Sequence, residues 1–167
     1  MNTNQPQRKS SPRLKEFNYS QPGMYFVTLS TQNHIPFFGD LINGNTLLND
    51  AGKMVKKYWV DLPDKFPMIF LDEFILMPNH LHGIICIGDQ YKNKSDFPSP
   101  SLSKVIQWYK TKTTNAYIIG VKKYNWVRFN KHLWQRSFYD HIIQDDKDLY
   151  QIREYIHNNP CKPHIKC

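Results

Sequence analysis

The stretch Met77-Pro78-Asn79-His80-Leu81-His82-Gly83-Ile84-Ile85-Cys86-Ile87 decides how the chain is read. Pro78-Asn79 is a turn dipeptide, and an apolar run with two histidines at its mouth follows it. Side chains in a strand alternate between faces. His80, His82, Ile84 and Cys86 therefore share one face, and Leu81, Ile85 and Ile87 the other. Both faces are largely apolar beyond the histidines, which predicts a central strand covered on both sides. Met68 to Met77 reads as a neighbouring strand, joined by a tight hairpin at the histidine end. Two imidazoles side by side at a strand end are a ready pair of ligands for a divalent metal. A surface pair or a hydrogen-bonded wall would give the same spacing.

Outward from this hairpin the elements alternate. Met24 to Thr31 is rich in aromatic and β-branched residues and reads as a first, mostly buried strand. A loop with Pro36, Gly39 and Gly44 leads to a helix from Asn49 or Asp50 to Leu62, ended by Pro63. After the hairpin, residues 88 to 100 read as a polar loop, and Ser101 caps a helix over Leu102 to Ile118. Short strands are expected at Val127-Arg128-Phe129 and at Ser137-Phe138-Tyr139. Gln144-Asp145-Asp146 opens a last helix, with acids suited to its N-terminal dipole, and Asn158-Asn159-Pro160 stops it. The order predicts an α+β fold of the ferredoxin-like, split βαβ kind: an antiparallel sheet with helices packed on it, plus a C-terminal helix. Residues 1 to 16 read as a basic N-terminal arm, and 17 to 167 as a single domain.

Composition narrows the partners. The 167 residues carry 22 Lys and Arg against 14 Asp and Glu, a net charge of +8, with 10 Tyr, 10 Phe and 4 Trp. A basic, aromatic-rich domain favours a polyanion, most often nucleic acid. Cys86, Cys161 and Cys167 form no metal spacing, and their odd number speaks against a disulfide framework, so a reducing cytoplasm is expected. No apolar run approaches the roughly 20 residues needed to span a bilayer, so no membrane role is expected. Lys110 and Lys112, interleaved with Trp108 and Tyr109, suit phosphate pairing and base stacking, or simply a solvated helix face. Arg136 and Trp134 are further candidate DNA contacts, the tryptophan as a stacking platform.

The last helix places Tyr155 beside the stripe Leu149, Ile152, Ile156, with Asn159 four residues on and near the same face. A tyrosine with an amide one turn away, brought against His80 and His82, has the parts for metal-assisted phosphoryl transfer. Protonated imidazoles cannot ligate, so activity is expected to fall below about pH 6. Tyr109, Tyr139 and Tyr150 are rival nucleophiles, and Asp140 and His141 read as structural.

Met77 to Gly83 resembles the His-hydrophobic-His (HUH) signature of the single-tyrosine transposases of insertion sequences. Trp134 to Ile143, followed by Glu154-Tyr155-Ile156-His157-Asn158-Asn159-Pro160, looks like their branch associated with repetitive extragenic palindromes (REP). Arg13-Leu14 with Gly23 to Thr28 looks like that branch's N-terminal motif. The resemblance implies that His80 and His82 are metal ligands and Tyr155 the nucleophile. Asn159 would be the third ligand, where insertion-sequence relatives tend to carry glutamine. It implies an enzyme that nicks and rejoins single-stranded, hairpin-bearing DNA through a 5′-phosphotyrosine. It further implies a homodimer, Mg²⁺ or Mn²⁺, and no small-molecule cofactor. An idle structure-specific DNA binder and a phosphodiesterase using water stand as alternatives.

Overall fold

A computed structural model describes residues 21–88 and 99–159. The elements run β1 (Gly23–Ser30), a 3₁₀ turn (Gln32–His34), β2 (Gly39–Ile42), β3 (Asn45–Leu48), α1 (Asp50–Val60), α2 (Leu62–Lys65), β4 (Ile69–Met77), β5 (His80–Ile87), α3 (Leu102–Tyr124), β6 (Tyr139–Ile143) and α4 (Asp146–Asn158). β4, β5, β1 and β6 form one sheet in that order, every neighbouring pair antiparallel. β1, α1, β4, β5, α3 and β6 thus make the expected split βαβ arrangement. The expected arm at residues 1 to 16, the centre of the 88 to 100 loop, Pro160, Cys161 and Cys167 lie outside the described residues.

The two faces of β5 separate the protein into layers. Leu81, Ile85 and Ile87 join Tyr25, Val27 and Leu29 of β1 in a large core under α1 and α3. Ile84 and Cys86 join Phe26 and Ile156 in a smaller core under α4. Gly83 faces the large core because Trp59 of α1 lies across it. A Cβ there would sit 2.4 Å from the indole Cζ2.

Local signals explain the helix starts. Asn49 accepts from the Gly52 N–H at 2.9 Å, Ser101 from Lys104 at 3.3 Å and Asp145 from Asp148 at 2.8 Å, each satisfying a donor the first turn leaves open. Four expectations change. Pro63 does not end α1 but sits in the first turn of α2, where a proline's missing N–H costs nothing. α3 runs on past Ile118 to Tyr124, stopped by Asn125 in the left-handed region at φ 55°. The loop after β1 contains the β2–β3 hairpin, turned by Asn43-Gly44 at φ 51° and 77°. The fourth strand is Tyr139–Ile143 and not Val127 to Phe129, because Phe129 and Trp126 pack on Tyr117 of α3 instead.

Candidate active site

The β4–β5 turn is held from outside. Phe38 N–H donates to the Pro78 carbonyl and Thr31 N–H to that of Asn79, both at 2.9 Å. The Asn79 amide NH₂ donates to the His34 carbonyl at 3.1 Å, which turns its oxygen toward His80 Nδ1, 2.6 Å away. A carboxamide oxygen only accepts, so Nδ1 of His80 carries the proton and Nε2 keeps a bare lone pair. His82 lies opposite Thr28 in the β1–β5 register, its Nδ1 2.8 Å from the threonine Oγ1. With Thr28 accepting, His82 takes the same tautomer.

Nε2 of His80 and Nε2 of His82 are both buried without a hydrogen-bond partner. The two rings lie 4.6 Å apart. Orphaned buried polar atoms are rare and costly, and two imidazole nitrogens on adjacent rings are donors of the kind that suit a cation. Burial lowers the His80 pKa to about 4 and that of His82 to about 3, with His34 adding to the first and His80 to the second. Both imidazoles are therefore neutral at pH 7, and stay so well below the pH 6 at which free imidazoles take up protons.

α4 lies across this face of the sheet. Ile156 is buried against Phe26, Ile84 and Cys86, with Leu149, Ile152 and Tyr155 packed beside it. The half-buried Tyr155 ring sits 5.3 Å from the His82 ring and 6.0 Å from that of Phe26, within one chain. Asn159 caps the C-terminus of α4 one turn further, half-buried. Among the described residues no group of three His, Cys, Asp or Glu stands together, so the two imidazoles have no third donor of these types beside them. Two side chains pin α4 to the sheet edges. His141 Nε2 lies 2.8 Å from Asp148 Oδ2, which fits a structural role for this histidine. Arg153 donates from Nε and Nη2 to Asp72, at the irregular point of β4.

The other candidates separate. Tyr109 is fully buried with its hydroxyl on the Val55 carbonyl, and Tyr150 is a solvent-exposed residue of α4. Tyr139 is on the same sheet face, opposite Thr28. Trp134 is not a stacking platform: only 4% exposed, it packs on Phe38 and Tyr109 and donates to Thr113. Lys110 is not a free phosphate contact either, since its ammonium caps the carbonyls of Gln135 and Ser137 at 2.8 and 3.0 Å. Lys112 and Arg136 remain exposed, Lys112 over the Trp108 ring. Thr28, beside the His82 ring, is not singled out by the sequence, and Asn79 stands out there only as a turn residue. No described helix is long and apolar enough to cross a membrane.

The family model described as "Transposase IS200 like" matches residues 45–159, from β3 through α4. The chain belongs to the IS200-like transposases. An uncharacterized protein of Haemophilus influenzae is 42% identical over 160 residues, covering 91% of this chain and 88% of that protein. The REP-associated tyrosine transposase of Escherichia coli is 23% identical over 144 residues, covering 86% and 70%. A solved REP-associated tyrosine transposase, bound to a REP hairpin, shares the fold at a TM-score of 0.56 and 21% identity, over 84% of this chain and 67% of that one. This transposase is therefore an enzyme of DNA strand transfer, with its matched region spanning both histidines, Tyr155 and Asn159.

Proposed function

We propose that this transposase nicks and rejoins single-stranded DNA beside hairpins, with Tyr155 as nucleophile and His80, His82 and Asn159 holding Mg²⁺ or Mn²⁺. The observation that carries the reading is the pair of unpartnered Nε2 atoms on rings 4.6 Å apart, with the Tyr155 ring 5.3 Å from that of His82. A divalent cation bound there would polarise the scissile phosphate and orient its oxygens. Tyr155 Oη attacks phosphorus, forming a 5′-phosphotyrosine as the bond to the 3′ oxygen breaks. The phenol gives up its proton to solvent and the departing 3′ oxygen takes one up, so the proton count is unchanged. In rejoining, a 3′-OH displaces Tyr155 by the same path reversed. Phe26 and the buried His82 ring exclude water from one side of the phenol, which favours DNA over water as the second acceptor. The hairpin preference is supported by the solved relative whose title names a bound REP hairpin. Tyr155 and His82 adjoin within one chain, so the reading needs no residue from a second copy.

The test is a covalent adduct on a denaturing gel, using labelled hairpin oligonucleotides and Mn²⁺. Tyr155→Phe is expected to remove the adduct entirely, and mixing it with His80→Ala/His82→Ala should not restore it. Cutting without an adduct in Tyr155→Phe means a water-using phosphodiesterase, and an adduct that persists there means another tyrosine attacks, Tyr139 being on the same sheet face. Restoration on mixing means the site is shared between copies. No adduct from the unaltered protein on any hairpin means an idle DNA binder.

A further inference from the structure

The positive charge of this chain is segregated. Residues 99 to 139 hold eight Lys and Arg and no Asp or Glu, which accounts for the whole net charge of +8. These residues are α3 and the segment returning from it to β6. At the far end of α3 the two enclose an open groove of about 230 Å³ lined by Ile118, Val121, Lys122, Arg128 and Phe129. Lys122 and Arg128 are exposed, and Val127 beside them is 69% exposed.

The groove is built in advance of any ligand. Tyr117 donates its hydroxyl to the Val127 carbonyl at 2.8 Å and packs on Trp126 and Phe129. Trp126 lies flat over Gly120, where a Cβ would fall 2.1 Å from the indole. Asn125 makes the reversal at φ 55°. Its position relative to the histidines follows from the hydrogen bonds. Trp134 bridges Thr31, directly after the Ser30 that faces His80, and donates to Thr113. Ile118 and Lys122 lie five and nine residues further along α3, about 8 to 14 Å at a helical rise of about 1.5 Å per residue. The groove thus projects past the histidine end of the sheet.

We infer that this groove is a subsite for unpaired DNA running on from the site of cleavage. Lys122 and Arg128 would take backbone phosphates, and a base would lie against Phe129 and Ile118. An aromatic floor between two cations matches a single strand. The groove is also smaller than the roughly 300 to 1,000 Å³ usual for small-molecule pockets. The inference rests on the proposed DNA substrate but not on Tyr155 or the metal.

The experiment measures anisotropy of labelled hairpins carrying oligothymidylate tails of none, about four and about eight nucleotides on either end. It uses Tyr155→Phe protein without metal, so that no cleavage intervenes. Affinity should rise with tail length. Lys122→Ala/Arg128→Ala should cancel that rise and reduce the slope of log affinity against log salt by about 1.4, at about 0.7 per phosphate on a single strand. Phe129→Leu, which keeps the apolar volume, should cost about tenfold on tailed DNA with the salt slope unchanged. Variants that bind every tail as the parent does overturn the subsite, as does a parent indifferent to tails. Equal losses on tailed and tailless hairpins would also overturn it, making this a duplex contact. The adduct assay on the same variants with Tyr155 restored reports separately. Its failure alongside intact tail binding counts against the cleavage reading only.

Discussion

At the scale of single residues, two nitrogen atoms decide the chemistry. The sheet leaves Nε2 of His80 and Nε2 of His82 bare because the opposite ring nitrogens are engaged by Asn79 and Thr28. Asn79 fixes the proton of His80 on Nδ1, and Thr28 does the same for His82 when its hydroxyl accepts, which gives Thr28 a testable role. Thr28→Val keeps the shape of the strand but removes the hydroxyl and leaves Nδ1 unpaired. Mn²⁺ affinity, read by calorimetric titration, should fall about 10- to 100-fold, and urea denaturation should show a loss of about 1 to 3 kcal/mol. Unaltered Mn²⁺ affinity would mean that Thr28 orients nothing. Asn79 could be seen in the sequence, since it is part of the turn itself. Thr28 could not, because its place opposite His82 depends on the register of two strands 54 residues apart.

At the scale of elements, β5 and α4 divide the work. β5 is rigid, buried on both faces and clasped on its far side by Trp59 across Gly83. An alanine in place of a strand glycine would ordinarily stabilise by reducing the freedom of the unfolded chain, by about 0.4 to 1 kcal/mol. At Gly83 the sign reverses, because the new methyl meets Trp59 at 2.4 Å and Phe74 at 3.1 Å. Gly83→Ala should destabilise by about 1 to 3 kcal/mol; a urea midpoint equal to or above that of the parent would refute it. α4 is attached more lightly. One fully buried side chain, Ile156, seats it, and His141–Asp148 and Arg153–Asp72 fasten its two sides. Exposed pairs of this kind contribute about 1 kcal/mol or less each, so they align the helix more than they stabilise the fold. The tyrosine is thus carried on an element with fewer buried anchors than the strand that carries the histidines.

At the scale of the whole molecule, the buried histidines couple stability to pH. Their folded pKa values, about 4 and about 3, lie below the ordinary 6.5. As pH falls through 6.5 the unfolded chain binds protons that the folded one refuses, so stability is full above that pH and drains toward pH 4. The metal-free protein should lose on the order of a few kcal/mol between pH 7 and pH 4, at about 1.4 kcal/mol for each pH unit of the difference. Chemical denaturation across that window checks it, and a flat profile would contradict the burial of these rings. The molecule also divides by element, with the imidazoles and Tyr155 under α4 and eight Lys and Arg, with no Asp or Glu, on residues 99 to 139. Much of this was legible without coordinates. The two-faced β5, the hairpin at its histidine end and the caps at Asn49, Ser101 and Asp145 are each written in contiguous residues, because alternation and capping are local. Asn43-Gly44 is a local hairpin signal of the same kind, joining β2 to β3. The sequence alone thus determined the elements and the ligand pair. Only the tertiary structure decided that Tyr155 meets His82 within one chain, that Thr28 holds the ring, and that Trp134 and Lys110 are turned inward. Those outcomes depend on strand register and helix packing between segments far apart in the chain, and no local pattern encodes them.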